Sequence, residues 1–336
     1  MSDLCAYNER HVPRPFTKGK RRTSVYVSWS YPGEANREIT GLDNRFSTMN
    51  EVRRVAWPNF EEPRYADPRQ FQQGIAGTLE LFFEAWELFQ GVVGESTGQT
   101  VPMYQRVDHR GRTLPIDERI LADTDLLMVF GLDHNITDQE ATPAEIEAVR
   151  AFLEREGTCL LLGPHHDVGV ADSPDVRNME YKHHGDRLVP RQQRFGRYTL
   201  SLMKGLGIPV VNKYGLRPTT LPGTNTIGPF NAFRDLDTVG WLEGVTSFNF
   251  HMHLPHYEVL AGHENEIRVL AKQPIDAKKP HPFTEAGNKE FNAFLWMPPV
   301  GKRAGHVVMA DSTIFSTLFG GDEGLQRFWK NLATVG

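Results

Sequence analysis

The strongest constraint on the fold lies between Ile120 and Gly169. Asp125-Leu126-Leu127-Met128-Val129-Phe130 is a short unbroken apolar run, the pattern of a strand covered on both faces of a parallel sheet. A loop from Gly131 to Ala141 follows. Thr142-Pro143-Ala144-Glu145 then carries a capping box with proline at the first helical position. Ile146, Val149, Phe152 and Leu153 recur at helical spacing, and Gly157 is placed to stop the helix. A second apolar run, Thr158 to Leu162, ends in Gly163-Pro164. Strand, helix and strand make a βαβ unit, so the two runs should lie side by side in parallel.

The alternation continues outward. Thr23 to Trp29, Val101 to Val107, Ile208 to Val211, Val245 to Phe250, Ile267 to Ala271, Phe291 to Met297 and His306 to Ala310 read as strands. Phe71 to Phe89, Phe195 to Leu206 and Glu323 to Leu332 read as helices. This pattern predicts an α/β fold with a doubly wound, mainly parallel sheet, helices on both faces and long loop insertions. The insertions are Ser30 to Pro68 and Val170 to Gln193, which show neither helical nor strand period. The first, with Trp29, Tyr31 and Trp57, reads equally as a substrate lid or an oligomer contact. With no repeat and no linker, residues 23–336 are expected to form one domain behind an arm at 1–22. The arm's Arg14, Lys18, Lys20, Arg21 and Arg22 are expected to be solvated.

Asp125 to Gly169 and the tail from Gly305 to Leu332 together resemble the class I glutamine amidotransferase-like (flavodoxin-like) superfamily. In the tail, Gly305-His306-Val307-Val308-Met309-Ala310-Asp311-Ser312 before a closing helix is similar to the last strand of its non-catalytic members. The resemblance covers under a quarter of the chain. It implies the fold, and for active members a nucleophilic cysteine in a Gly-x-Cys-x-Gly turn after the second strand. Here Pro164 stands at that position, Cys159 falls inside the strand, and no Gly-x-Ser-x-Gly elbow occurs. Glutamine hydrolysis by a cysteine is therefore not expected, and Cys159 should be a buried, unreactive thiol.

Gly163-Pro164-His165-His166-Asp167 takes the place of that turn. Ligands of open α/β sheets bind outside the carboxyl ends of the strands, which puts these side chains at the expected active edge. Asp133 and His134 follow the preceding strand onto the same edge. His251-x-His253, with His256 and Glu258, ends the Val245 to Phe250 run, and residues two apart on a strand share a face. His183-His184 sits in the second insertion and reads as part of a solvated loop.

Imidazole with carboxylate suits zinc, iron or manganese, and a bound divalent metal supplies hydroxide at neutral pH without a protein nucleophile. The expected function is a metal-dependent hydrolase of a small polar or amide-like substrate. His165, His251 and His253 are the expected metal ligands. His166, Asp167 and His134 are the expected catalytic groups, acting as general base or orienting a ligand. Asp311-Ser312-Thr313 reads as a turn cap outside the site. Two other functions stay open: a non-catalytic ligand- or partner-binding module at the same edge, and a metal-free isomerase or lyase using His and Asp.

A net charge of -5 and a pI near 6.2 give no footprint for nucleic acid. No apolar run reaches the ~18 residues of a membrane span, and the N-terminus shows no signal-peptide pattern. Cys5 and Cys159 are the two cysteines, which fits a reducing, cytoplasmic setting. The partner expected is a small molecule, with self-association left open.

Overall fold

A computed structural model describes residues 14–29, 74–106, 113–133, 139–169, 171–184, 193–194, 196–224, 226–248, 254–314 and 322–334. In chain order the elements are β1 (Thr23–Trp29), α1 (Gly74–Thr97), β2 (Met103–Gln105), α2 (Glu118–Leu121), β3 (Leu126–Leu132), α3 (Pro143–Leu153), β4 (Cys159–Pro164) and β5 (Asp167–Val168). Then come α4 (Pro174–His184), β6 (Gln193–Arg194), α5 (Arg197–Leu206), β7 (Val210–Leu216), β8 (Asn231–Ala232) and β9 (Leu254–Val259). The chain continues with β10 (Arg268–Pro274), α6 (Pro282–Glu285), β11 (Glu290–Met297), β12 (His306–Met309) and α7 (Asp322–Thr334).

The chain is an α/β protein built on one mixed sheet in the order β2-β1-β3-β4-β12-β11-β10-β8. The joints from β2 to β12 are parallel, and those from β12 to β8 are antiparallel. β3 and β4 pair in parallel from Leu126↔Cys159 to Gly131↔Pro164, as the βαβ pattern requires. Both strands are buried along their whole length, which explains why they lack polar alternation. On β3, Leu126, Met128, Phe130 and Leu132 join a core with Phe89 of α1 and Phe328 and Trp329 of α7. Leu127 and Val129 point the other way, into a core with Val149 and Phe152 of α3 and Tyr198 and Leu202 of α5.

The capping box forms as expected: Glu145 N donates to Thr142 Oγ1 at 3.2 Å, and Thr142 N donates to Glu145 Oε2 at 2.9 Å. The helix ends at Leu153, and Gly157 (φ +76°) serves the turn into β4.

Three expectations fail here. Val245 to Phe248 is not a strand; Val245 and Phe248 instead fill the core, with Phe248 packed on Phe230 and Phe328. An apolar run carries the same signal whether it enters a ladder or crosses a core. The strand lies further on, at β9, and pairs antiparallel with β7 outside the main sheet. The second insertion contains α4, whose buried face is Glu180, His183 and His184 and so shows no apolar period. Ser173-Pro174-Asp175, a cap residue, a first-turn proline and an acid, was its legible start signal. Finally, Arg14 and Arg21 are buried, not solvated. Arg14 pairs with Asp123 and Arg21 donates to Leu332 O, while Arg22 pairs with Asp125. Each arginine found an acid or carbonyl distant in sequence.

The insertion at residues 30–68 lies outside the described residues. Among the described residues, no helix is long and apolar enough to cross a membrane.

Candidate functional site

β4 and β12 are parallel neighbours, so the residues that follow them emerge side by side at the carboxyl edge. After β4 come His165 and His166; after β12 comes Asp311. All three are buried. His165 Nδ1 donates to Asp311 Oδ1 at 3.0 Å. Asp311 Oδ2 accepts from Thr313 N at 2.9 Å and from the Thr313 hydroxyl. Burial alone would raise the Asp311 carboxyl, but His165 and the Thr313 hydrogen bonds outweigh it and hold it below its ordinary range. Asp311 is thus a carboxylate at neutral pH, and it fixes the proton of His165 on Nδ1. The sequence places Asp311 as a turn cap outside the site; in the structure it caps the turn with one oxygen and holds His165 with the other.

The ring of His166 packs edge-on against that of His165, centroids 4.0 Å apart, with the two Nδ1 atoms 3.4 Å from each other. Its Nε2 faces His184 Nε2 at 3.0 Å. His184 is the last residue of α4 and is buried, which corrects the reading of His183-His184 as a solvated loop. The two neighbours have separate tasks. His183 Nδ1 donates to Lys279 O at 2.6 Å and its Nε2 accepts from Arg217 N at 2.9 Å, so its tautomer is set and both nitrogens are used. Burial lowers its pKa, as neutrality requires. His183 pins the helix end, and His184 reaches His166.

β7 is shaped around this pair. Its ladder with β9 breaks between Lys213 and Leu216, and Tyr214 in the gap has φ +62°, a left-handed conformation that is strained for tyrosine. At Gly215 a Cβ would stand 2.6 Å from His166 Cδ2 and 3.0 Å from His184 Cδ2. Only glycine lets the backbone pass this close to both rings. Asn212 binds His165 O through its side-chain amide, and Tyr257 OH donates to Pro164 O at 3.2 Å, which fixes the turn that presents the histidines.

The other residues singled out from the sequence have the following surroundings. Asp167 enters the short β5–β6 ladder opposite Arg194. Asp133 is buried at the start of α5, where it accepts from Ser28 Oγ at 2.5 Å and Tyr198 N at 3.0 Å; burial pushes its carboxyl up to about 6. His256 lies within β9, accepts from Asn292 N at 3.2 Å and is lowered to about 4 by burial. Glu258 pairs with Lys213 at the surface. His134, His251 and His253 lie outside the described residues. Among the described residues, no three His, Cys, Asp or Glu side chains converge as a metal-holding group. Cys159 is fully buried in β4, and burial pushes its thiol up to about 11, away from thiolate chemistry at neutral pH.

The arrangement offers an oriented His–Asp pair beside two imidazoles whose Nε2 atoms face each other. It thus offers proton transfer through the first pair and donor nitrogens through the second. No protein-family model matches the chain, and no curated protein is significantly similar to it.

Proposed function

We propose that the chain is a metal-dependent hydrolase acting on a small polar or amide-like substrate at the carboxyl edge of the sheet. The observation that carries this reading is the group of buried side chains at one place: His165, His166, His184 and Asp311, where β4, β12 and α4 end. Burying this much imidazole and carboxylate is unfavourable for folding alone, so its concentration at a ligand-binding edge favours chemistry. In this reading a divalent ion (zinc, iron or manganese) is held by edge histidines, with His251 and His253 as the further donors expected from sequence. Such an ion would supply hydroxide at neutral pH in place of the missing cysteine nucleophile. The same reading takes the parallel strands, with α1 and α7 on one face and α3 and α5 on the other, as a doubly wound sheet. It groups the chain with amidotransferase-like folds that lack the nucleophile, working on a small molecule in the cytoplasm.

A second reading is favoured by one contact. The Asp311–His165 hydrogen bond is the pairing a metal-free general base uses, and it supports an isomerase or lyase without an ion. The test is elemental analysis of protein purified without a histidine tag, followed by turnover of small amides and esters before and after chelation. Stoichiometric metal, with hydrolysis abolished by chelator and restored by the ion, is the expected result. Hydrolysis that survives complete metal removal would overturn the metal reading.

A further inference from the structure

We propose that a small carboxylate with an apolar body binds in a cleft at the amino edge of the parallel strands, with its charge beside Lys302 and Arg303. This is the opposite end of the sheet from the histidines, and the site uses none of the residues of the metal reading.

Three observations carry it. The first is the space. The cleft lies where α3, α5 and β11 end and β12 begins, and it holds about 270 Å³. At the roughly 30 Å³ that a water molecule occupies in the liquid, this is room for about nine non-hydrogen atoms. Its apolar lining is Leu153, Leu206, Ile208, Met297 and Val307. A bare inorganic anion would leave that lining in water, so the fitting ligand carries an apolar body as well as a charge. The second observation is the charge. Arg150, Lys302 and Arg303 line the same cleft against a single acid, Glu154. Arg150 has an exposed counter-ion, Glu147, at 3.4 Å. Among the described residues, neither Lys302 nor Arg303 has a carboxylate partner. The third is how Arg303 is held. It is half-buried and donates to Met297 O at 3.2 Å, Gly305 O at 3.1 Å and Pro298 O at 2.6 Å. Those carbonyls orient the guanidinium without neutralising it, and burial lowers its pKa by more than the Glu266 carboxylate raises it. A partly desolvated cation of this kind is stabilised by an anion brought up to it. Val300 and Arg303 exchange backbone hydrogen bonds of 2.9 and 3.1 Å, so the turn that presents both cations is fixed, while Lys302 itself is exposed to meet the ligand.

The competing account is that these cations serve only the backbone, Arg150 at Gly205 O and Arg303 at its turn, and the experiment separates the two. Full-length protein is titrated by calorimetry with hexanoate, which is about the size of the cleft, and with hexanol and hexylamine, which share its body but not its charge. The proteins are the parent, Lys302→Gln, Lys302→Glu, Leu206→Trp, Lys278→Gln and His184→Ala, each checked for folding by circular dichroism. Lys302 is exposed, so its variants should keep the fold. Hexanoate should bind the parent at one site with a Kd below about 1 mM, and the alcohol and amine should bind about tenfold or more weakly. Lys302→Gln should weaken hexanoate binding by roughly 2–5-fold and Lys302→Glu by about tenfold or more. Leu206→Trp, which fills the cleft, should abolish it. Lys278→Gln, an exposed lysine elsewhere, and His184→Ala should bind as the parent does. Absence of saturable binding to the parent, hexanol bound as tightly as hexanoate, or parental affinity in Lys302→Glu would each overturn the proposal. So would loss of binding in folded His184→Ala, which would put the carboxylate at the histidine edge.

Discussion

Among the described residues, two of the buried polar groups on this sheet are built differently. At the Arg106 group, donors converge on one acid. Glu145 Oε1 takes Arg106, Ile116 N at 3.1 Å and Tyr198 OH at 2.9 Å, while Oε2 takes Thr142 N. Arg106 also stacks 3.9 Å over the ring of Tyr198. Burial alone would raise the Glu145 carboxyl, but Arg106 and these donors hold it below its ordinary range. Each partner here has a single assigned role, so the group locks α3, α5 and the loop after β2 into one arrangement. At the histidine edge the contact between His166 and His184 is ambivalent: either Nε2 donates or accepts according to where the proton sits.

The comparison is most exposed at Glu145. Glu145→Ala leaves Arg106 buried without its counter-charge and should destabilise the fold by about 3–5 kcal/mol, read by thermal or urea unfolding. Under the proposed metal reading, zinc binding should be unchanged wherever the variant is folded. Loss of metal there would show that the two groups are not separable.

Acid should distinguish them next. His281, packed against His183 with ring centroids 4.9 Å apart, is lowered by burial to about 3 from an ordinary 6.5. Its folded pKa is depressed, so its contribution is complete above pH 6.5 and is lost as pH falls toward 3. Glu145, depressed from 4.5, keeps its contribution down to pH 4.5 and loses it only below. The histidine side should therefore loosen first. His281→Asn preserves the acceptor that receives Phe283 N at 3.1 Å and removes the proton site. Its stability should fall less than the parent's between pH 7 and 4, by on the order of 3 kcal/mol. Identical slopes for variant and parent would place the titrating group elsewhere.

Asp311→Ala removes the charged partner of His165 and should cost about 1.5–3 kcal/mol at pH 8, less than Glu145→Ala because fewer donors are orphaned. The smallest effect belongs to His184. If His184 serves the proposed site and not the fold, truncating it should change stability at pH 8 by no more than about 1 kcal/mol. A loss of 3 kcal/mol or more would class His184 with Glu145, as structure.

Several parts were legible in the residues themselves. The apolar runs ending at Phe130 and Leu162, with a capped helix between them, dictated a parallel pair, because a crossover that short allows no other arrangement. The carboxyl ends of those strands then named His165 and His166 as edge residues. The capping box named Glu145, but only as a local cap. That it also neutralises Arg106 depends on where the loop after β2 passes, and no local pattern encodes that. α4 escaped because its buried face is polar, so the hydrophobic period that reveals most helices was missing although its start signal was present.

What the tertiary structure alone decided was membership of the site. Asp311 meets His165 because β12, nearly 150 residues later, inserts beside β4, and strand order in a sheet is not written in any one strand. His184 meets His166 because α4 folds back over the edge and β7 offers a glycine there. Its neighbour His183, identical in chemistry, is turned to the backbone of Arg217 and Lys279 instead. Sequence fixes which groups are available and which element ends they occupy. Which nitrogen faces which is settled only by packing, because one residue's step along a helix swings the side chain by about 100° and so gives two adjacent histidines different partners.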